Sequence, residues 1–319
     1  MIEYFMLIAG LFLIIKGADI LVEGGASLAH KFRVSYLLIG LTVLAFGTSL
    51  PELIINIISA IKGSGEIVFG SIIGSNMSNI LLVLGIISLI FTIKAKDSTI
   101  KKEIPYAVIS VLILIIFASY HFFASSGTGS FYLIEGIILL MGFTFFLRYV
   151  IFMVKTDRKK TIDVNVVIKD ISNKKIVFMV LGGLIALYLG GKWTVEGAVL
   201  VAQNLGLSEF FISATIMSIG TSLPELVLCV VAVLKKQIDM VLGNIVGSNI
   251  FNILWVIGVS SLIAPIPLPS RILIDLIILV SISFLLLFFV WKYKKLNKYH
   301  GASFLAIYVL YLGYLFFMG

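Results

Sequence analysis

Residues 47–85 read GTSLPELIINIISAIKGSGEIVFGSIIGSNMSNILLVLG, and residues 220–258 read GTSLPELVLCVVAVLKKQIDMVLGNIVGSNIFNILWVIG. The two stretches align without a gap at an offset of 173, and 19 of the 39 positions are identical. The match continues upstream, where Val22-Glu23-Gly24 aligns with Val195-Glu196-Gly197. Packing alone would preserve hydrophobicity rather than the same Thr, Ser, Pro, Glu and Asn residues. The chain is therefore a duplicated unit whose polar residues serve one purpose in both copies.

The composition around these repeats is typical of a membrane protein. Of the 319 residues, 60% are hydrophobic and 13% are charged, against about 25% charged in soluble domains. A membrane-spanning helix needs roughly 20 mostly apolar residues. Ten such runs are predicted near 3–29, 36–61, 66–93, 104–123, 131–154, 176–202, 209–234, 239–263, 272–291 and 301–318. Five spans per copy place the copies in opposite orientations. The expected fold is thus an all-α membrane protein with ten transmembrane helices in two inverted five-helix repeats.

The placement of positive charge predicts the orientation in the membrane. The net charge is +8, but 20 of the 24 lysines and arginines lie in alternate loops, as expected of cytoplasmic loops rather than of a nucleic-acid interface. Both termini are therefore expected outside the cell. The domains would be a first repeat, 1–154, a cytoplasmic linker, 155–175, and a second repeat, 176–319. The one cysteine, Cys229, excludes an internal disulfide.

The segment 47–52, GTSLPE, lies midway through the second predicted span. Pro51 has no backbone N–H and crowds the carbonyl four residues earlier, and it disfavours helical geometry at Leu50. A break here would free carbonyls near 45–48 beside two hydroxyls and the carboxylate of Glu52. Such hard oxygens are the ligands that calcium takes. The segment 220–225 repeats this arrangement with Glu225, and charges at this depth are costly and usually functional.

The third and eighth spans carry a second repeated polar set. Ser75 and Asn79 are four residues apart and share a helix face, and Ser248 with Asn252 repeats the pattern. Amides inside a membrane need partners, so these residues are expected to coordinate a cation or water. Hydrogen bonds between helices are the alternative. The same spans carry glycines at a spacing that favours close helix packing: Gly70, Gly74, Gly243 and Gly247.

These paired GTSLPE and GSN-x-x-N segments resemble the alpha repeats of the cation/calcium exchanger superfamily, specifically its prokaryotic-type sodium/calcium exchanger branch. The resemblance covers nearly the whole chain. It implies a ten-helix antiporter that works by alternating access and exchanges three sodium ions for one calcium ion, which is electrogenic. The implied partners are calcium and sodium ions as transported substrates and the lipid bilayer. No cofactor, enzymatic activity or nucleic-acid partner is expected, and the protein is expected to work as a monomer in the cell membrane.

The resemblance also implies the metal ligands. Calcium would bind Glu52 and Glu225 with the carbonyls of Thr48 and Thr221. Sodium would bind the glutamates and Ala45, Thr48, Ser49, Ser75, Asn79, Ser218, Thr221, Ser222, Ser248 and Asn252. Some relatives, including potassium-dependent exchangers, place Asp at the position of Asn252. Asparagine in both halves therefore weakens the case for potassium coupling.

Three alternatives remain open from the sequence. A proton- or potassium-coupled exchanger on the same scaffold differs in its counter-ion. A hydrolase needs a nucleophile–base pair or a metal triad, and the repeated segments contain no histidine. A channel would show no strict counter-transport.

Charges within the first and sixth spans are expected to pair as Lys16–Asp19 and Lys192–Glu196, because their spacing places them on one helix face. The alternative is that they assist sliding of those helices.

Overall fold

The computed structural model describes residues 2–124, 129–157, 171–205, 220 and 222–318, and the described parts are almost entirely helical. The helices are α1 Ile2–Phe32, α2 Tyr36–Thr48, α3 Leu50–Ile61, α4 Gly65–Ile90, α5 Thr99–Ala124, α6 Leu133–Asp157, α7 Asn173–Asn204, α8 Leu223–Leu234, α9 Ile238–Ile263, α10 Ile272–Tyr293 and α11 Lys298–Met318. Within these residues, seven helices are long and apolar enough to cross a membrane, and the bent pair α2–α3 makes an eighth. The all-helical membrane fold is confirmed. Residues 209–219 of the predicted seventh span lie outside the described part.

The predicted break before Pro51 is confirmed, although its position differs by one residue. Helices α2 and α3 meet at an angle of 42°, and Pro51 lies in the first turn of α3, where its missing N–H costs no helical hydrogen bond. The non-helical residue is Ser49, with φ −88° and ψ −2°, whereas Leu50 already begins α3. The helix is thus interrupted at Ser49, one residue before Leu50, where the proline rule placed the departure from helical geometry.

Helices α4 and α9 form the centre of the molecule. In their most apolar 18-residue windows, 83% of α4 and 94% of α9 is buried. Each contains a π-helical stretch, Asn79–Val83 in α4 and Phe251–Ile257 in α9. Widened turns of this kind occur frequently at functional sites. The glycines of α9 pack as predicted, since a Cβ on Gly243 would lie 2.4 Å from the Leu37 carbonyl oxygen.

The glycines of α4 differ from those of α9. A Cβ on Gly70 or Gly74 would meet nothing within 4 Å among the described residues. The predicted close packing at these two glycines therefore has no counterpart in the described part of the chain. At an offset of 173, the position that corresponds to Leu37 is 210, which lies outside that part.

Helices α1 and α7 pack against each other along glycines spaced seven residues apart. Gly10, Gly17 and Gly24 in α1 correspond at the offset of 173 to Gly183, Gly190 and Gly197 in α7. A Cβ on any of five of these six, all except Gly24, would lie within 2.8 Å of an atom of the facing helix. Contacts pair low numbers in α1 with high numbers in α7, so the two helices run antiparallel. Small residues let the two backbones approach closely.

Charges on α1 and α7 are paired differently from each other. Lys192 and Glu196 of α7 lie 3.9 Å apart, as their spacing predicted. The predicted pairing of Lys16 with Asp19 is wrong: the Asp19 carboxylate accepts from Lys235, just after α8, at 2.7 Å. A lysine that approaches from another helix displaced the local partner.

Two short antiparallel sheets link the two halves. Strand β1, Ile93–Lys94, pairs with β4, Lys295–Leu296. Strand β2, Ser130–Phe131, pairs with β3, Ile266–Pro267. Each sheet takes one strand from the first repeat and one from the second. The loops between spans therefore join the repeats at two places besides the helix interface.

Candidate functional site

The two repeated glutamates occupy matching positions in the fold. Glu52 and Glu225 lie in the first turn of α3 and α8, each directly after the proline that starts the helix. Both are buried, with 8% and 4% of their surface exposed. In each carboxylate, one buried oxygen, Oε2, has no hydrogen-bond partner among the described residues. Buried carboxylates without a compensating partner are costly, so both groups are suited to receive a cation.

Hydroxyl groups of the first repeat contact both carboxylates. The Ser75 hydroxyl contacts the Glu52 carboxylate, and the Thr48 hydroxyl contacts the Glu225 carboxylate. Thr48 Oγ1 also lies 3.2 Å from Ser248 Oγ. The broken helix of the first repeat therefore faces α8 and α9 of the second repeat, and residues of both halves contribute to one cluster.

Four asparagines of α4 and α9 form a reciprocal network. Asn76 Nδ2 donates to the Asn249 carbonyl oxygen at 3.4 Å, and Asn249 Nδ2 donates to the Asn76 carbonyl oxygen at 3.3 Å. Asn79 Nδ2 donates to Asn249 Oδ1 at 3.0 Å, and Asn252 Nδ2 donates to Asn76 Oδ1 at 3.1 Å. Exchanging the repeats maps each bond onto another. We call this arrangement the asparagine bracket.

The bracket begins where the helices are irregular. The π-helical stretches start at Asn79 and Phe251, within three residues of the two carbonyls that the bracket uses. A π turn shifts the backbone hydrogen bond from i−4 to i−5, so a carbonyl at its start can lose its usual helical donor. The side-chain amides of the opposite helix supply donors at these positions. Both alternatives thus have support for Asn79 and Asn252, because the interhelical bonds of these two residues use only their nitrogens.

A cavity of about 450 Å³ adjoins the two carboxylates. It reaches from Glu52 and Glu225 to the ion pair of Lys192 and Glu196 on α7. Its other lining residues include Thr48, Pro51, Ile55, Asn56, Ser71, Ser75, Leu187, Tyr188 and Pro224. The mixture of oxygen ligands at one end and apolar side chains along the wall suits a path for a small cation.

The structure brings most of the predicted ligands together. Predicted residues that are buried around the cavity or the central helices are Ala45, Thr48, Ser49, Glu52, Ser75, Asn79, Ser222, Glu225, Ser248 and Asn252. The Ser49 hydroxyl and Asn252 Oδ1 are buried and have no hydrogen-bond partner in the part of the chain that the structure describes. The Ala45 carbonyl accepts from the backbone N–H of Ser49 at 3.1 Å. Ser218 and Thr221 lie outside the described residues.

Two polar pairs beside the site were not singled out by the sequence patterns. Asn56 Nδ2 donates to the Glu52 carbonyl oxygen at 2.7 Å, and Ser71 Oγ donates to Asn56 Oδ1 at 3.1 Å. In the second repeat the corresponding residues are Cys229 and Asn244, whose Sγ and Nδ2 are 3.9 Å apart. The signal was a mismatch between the repeats. Asn56 aligns with the less polar Cys229, whereas Ser71 aligns with Asn244, so the amide lies at a different position in each repeat.

The donor set fits a hard cation carried as substrate. Among the described residues no group of three or more His, Cys, Asp and Glu side chains converges, so the site relies on two carboxylates. The remaining donors are hydroxyl and amide oxygens, as in sites for calcium. Two negative charges match one divalent cation or two monovalent ones.

A membrane protein in which two homologous halves share one oxygen-lined, dicarboxylate site belongs to the class of ion carriers by its architecture. This chain belongs to the sodium/calcium exchanger family, whose sequence profile, described as sodium/calcium exchanger protein, matches residues 2–152 and 175–317. The resemblance stated from the repeats is therefore confirmed.

Individual relatives match over most of their length. CaxA of Alkalimonas amylolytica, described as a putative antiporter, is 38% identical over 263 residues, which cover 81% of this chain and 80% of that protein. The sodium/calcium exchanger MaX1 of Methanosarcina acetivorans is 28% identical over 347 residues, which cover 99% of each. A solved structure of the sodium-calcium exchanger NCX_Mj, soaked with sodium and strontium, has a TM-score of 0.79 and 32% identity over 98% of each chain.

Proposed function

We propose that the protein is a sodium/calcium antiporter that works by alternating access and carries net charge. The observation that carries the proposal is the pair of buried glutamates, one from each repeat, whose carboxylates contact hydroxyl groups of the first repeat and each keep a buried oxygen with no hydrogen-bond partner among the described residues. The similarity to named sodium/calcium exchangers supports the choice of ions. A pair of carboxylates alone would be compatible with other divalent cations.

In this proposal calcium binds between Glu52 and Glu225, together with the carbonyls of Thr48 and Thr221. Sodium ions use the same glutamates and the surrounding hydroxyl and amide oxygens: Ala45, Thr48, Ser49, Ser75, Asn79, Ser218, Thr221, Ser222, Ser248 and Asn252. Calcium and sodium then compete for shared oxygens. Such competition is what couples the two fluxes.

The proposed arrangement is ten transmembrane helices in two inverted repeats, with both termini outside and residues 155–175 in the cytoplasm. The antiparallel packing of α1 on α7 supports the inversion. The cavity lies on the side of Lys192 and Glu196, which this topology assigns to the outer face. The described conformation then corresponds to an outward-facing state.

Charge accounts for exchange rather than leak. Two ionised carboxylates in the membrane interior are unfavourable without cations. One calcium ion neutralises them, whereas three sodium ions leave one net positive charge in the site. The empty carrier therefore resists the switch between faces, and each full cycle moves charge across the membrane.

The test is radiolabelled calcium uptake into proteoliposomes under imposed sodium, potassium or proton gradients. We expect uptake driven by an outward sodium gradient and stimulated by an inside-positive potential, because three sodium ions leave for each calcium ion that enters. Glu52→Gln and Glu225→Gln should each abolish this uptake, whereas Glu66→Gln, at an exposed helix start, should not. Uptake driven equally by protons or potassium without sodium would favour the other exchangers. Uptake that survives both glutamine variants would contradict the proposal.

A further inference from the structure

An asparagine side chain can serve a cation only with one of its two ends. The carboxamide oxygen is an acceptor with two lone pairs, and the nitrogen is a donor of two hydrogens. A cation is attracted to the oxygen and repelled by the N–H hydrogens. For Asn79 and Asn252, the end that faces the site is therefore as important as their position.

The hydrogen bonds of the asparagine bracket fix this orientation, because each bond allows only one assignment of donor and acceptor. Backbone carbonyls only accept hydrogen bonds, so Asn76 and Asn249 must turn their nitrogens toward the carbonyls of each other's residues. Their Oδ1 atoms are then directed elsewhere and also only accept. They take the nitrogens of Asn252 and Asn79, respectively.

We infer that Asn76 and Asn249 are positioning residues for cation binding, and that each orients the ligand of the opposite repeat. The inference rests on the proposed function of the site. Asn76 holds the Asn252 nitrogen, and the Asn252 oxygen is left buried with no hydrogen-bond partner among the described residues. Asn249 holds the Asn79 nitrogen in the same way. The Asn252 oxygen thus remains available for an ion, and the bond that Asn79 makes within the bracket likewise uses its nitrogen and not its oxygen.

Because each positioning residue holds a ligand of the opposite repeat, energetic coupling is expected between the repeats rather than within one helix. Removing the side chain of Asn76 deletes the acceptor for Asn252 but keeps the bond between Asn79 and the Asn249 side chain. The Asn76 backbone carbonyl, which accepts from Asn249, also remains. Asn76 should therefore be coupled energetically to Asn252, in the other repeat, and not to Asn79, which is three residues away on its own helix.

The test is a double-mutant cycle on sodium binding. Full-length protein in detergent is titrated with sodium chloride, with choline chloride at equal ionic strength as the control, and the rise in unfolding temperature gives the half-saturating sodium concentration. We expect Asn76→Ala and Asn252→Ala each to raise this concentration roughly three- to tenfold, as for the loss of one buried hydrogen-bonded group. The Asn76→Ala/Asn252→Ala double variant should be no worse than Asn252→Ala.

The pair Asn76→Ala and Asn79→Ala is the matched control, and its two effects should multiply. An unchanged sodium requirement in Asn76→Ala, or multiplying effects for Asn76 and Asn252, would overturn the inference. If Asn76→Ala does not fold, Asn249→Ala with Asn79→Ala provides the equivalent cycle. Failure of both to fold would also overturn it, because the bracket would then hold the fold rather than orient ligands.

Transport separates this inference from the proposed function. If sodium binding follows the expected cycle but sodium drives no calcium uptake, the orienting role stands and the antiporter proposal fails. If sodium-driven uptake depends on Glu52 and Glu225 but Asn76→Ala binds sodium normally, the antiporter proposal stands and the orienting role fails.

Discussion

The Thr48 hydroxyl, in the first repeat, contacts side chains on two helices of the second repeat, α8 and α9. It contacts the Glu225 carboxylate and lies 3.2 Å from the Ser248 hydroxyl, while its residue belongs to the broken helix of the first repeat. A single hydroxyl thus connects three elements of the site. Its loss removes a hydrogen bond to a buried carboxylate, the kind whose loss is costly.

We predict that Thr48→Val lowers the apparent calcium affinity by about tenfold, which corresponds to about 1.4 kcal/mol. Valine keeps the shape but not the hydroxyl, so Glu225 and Ser248 each lose a neighbouring oxygen. Thr48→Ser keeps the hydroxyl and should stay within about twofold of the wild-type affinity. The measurement is the half-saturating calcium concentration of sodium-driven uptake. Equal affinities in the valine and serine variants would show that the hydroxyl is not used.

The polar pairs flanking the glutamates differ between the repeats. Asn56 and Ser71 are hydrogen-bonded to each other in the first repeat, whereas in the second the Asn244 oxygen, beside Cys229, is buried and has no partner among the described residues. An unsatisfied buried polar atom costs about 1–3 kcal/mol. The second repeat therefore lacks a stabilising hydrogen bond that the first repeat has at the corresponding position.

We predict that the double change Cys229→Asn/Asn244→Ser, which copies the first repeat, raises the thermal unfolding temperature of the purified protein. The gain should be on the order of 1 kcal/mol, because the new asparagine can bond both the serine and the helix backbone. The reciprocal double change, Asn56→Cys/Ser71→Asn, should lower the unfolding temperature. The prediction is wrong if the two swaps shift stability in the same direction.

At the scale of helices, the α1–α7 contact depends on the absence of side chains. A Cβ on Gly183 would lie 2.7 Å from the Leu21 Cβ and 2.9 Å from the Gly17 carbonyl oxygen. Gly182, the preceding residue, would meet nothing within 4 Å and is exposed. Two adjacent glycines thus differ only in the face of α7 on which they lie.

We predict that Gly183→Ala destabilises the protein and that Gly182→Ala does not. The first change forces α1 and α7 apart, at a cost typical of overpacking, about 1–3 kcal/mol. The second should be neutral or stabilising by up to about 1 kcal/mol, since alanine favours the helix. Thermal unfolding of both variants in detergent measures the difference. Equal loss of stability in both would mean that helix flexibility, rather than close contact, explains these glycines.

At the scale of helices, the sequence predicted the features that depend on one element alone. The repeat located both glutamates, the helix breaks and the polar faces, because local rules on proline and periodicity apply within one element. The pairing of Asp19 with Lys235 was missed because 216 positions separate the two residues. The orientation of the Asn79 and Asn252 amides was also beyond a local rule, since it is set by the helix of the opposite repeat.

For the whole molecule, the proposed alternating-access cycle includes separation of α1 from the end of α8, which an ion pair joins in this structure. Lys235 Nζ lies 2.7 Å from the Asp19 carboxylate and 3.7 Å from that of Glu23, and it also donates to the Asp19 carbonyl at 2.9 Å. In the proposed topology this contact closes the inner face. The corresponding residues on the outer face are Lys62, Lys192 and Glu196, where one acid is replaced by a lysine. The inner contact thus joins one lysine to two acids, whereas the outer counterparts offer the corresponding lysine one acid.

We predict that Lys235→Gln shifts the protein toward the inward-facing state. Cys229 is buried and is the one cysteine of the chain, and its counterpart Asn56 lines the cavity beside the glutamates. Opening of the inner face should expose the thiol, so a membrane-impermeant maleimide applied from the inner side should label the variant roughly two- to fivefold faster, as expected for a partly exposed ion pair. Lys236→Gln, at an exposed neighbouring position, makes the same change in charge and should label at the wild-type rate. Faster labelling in both variants would point to surface charge instead, and no change in Lys235→Gln would mean that the contact does not hold the inner face closed.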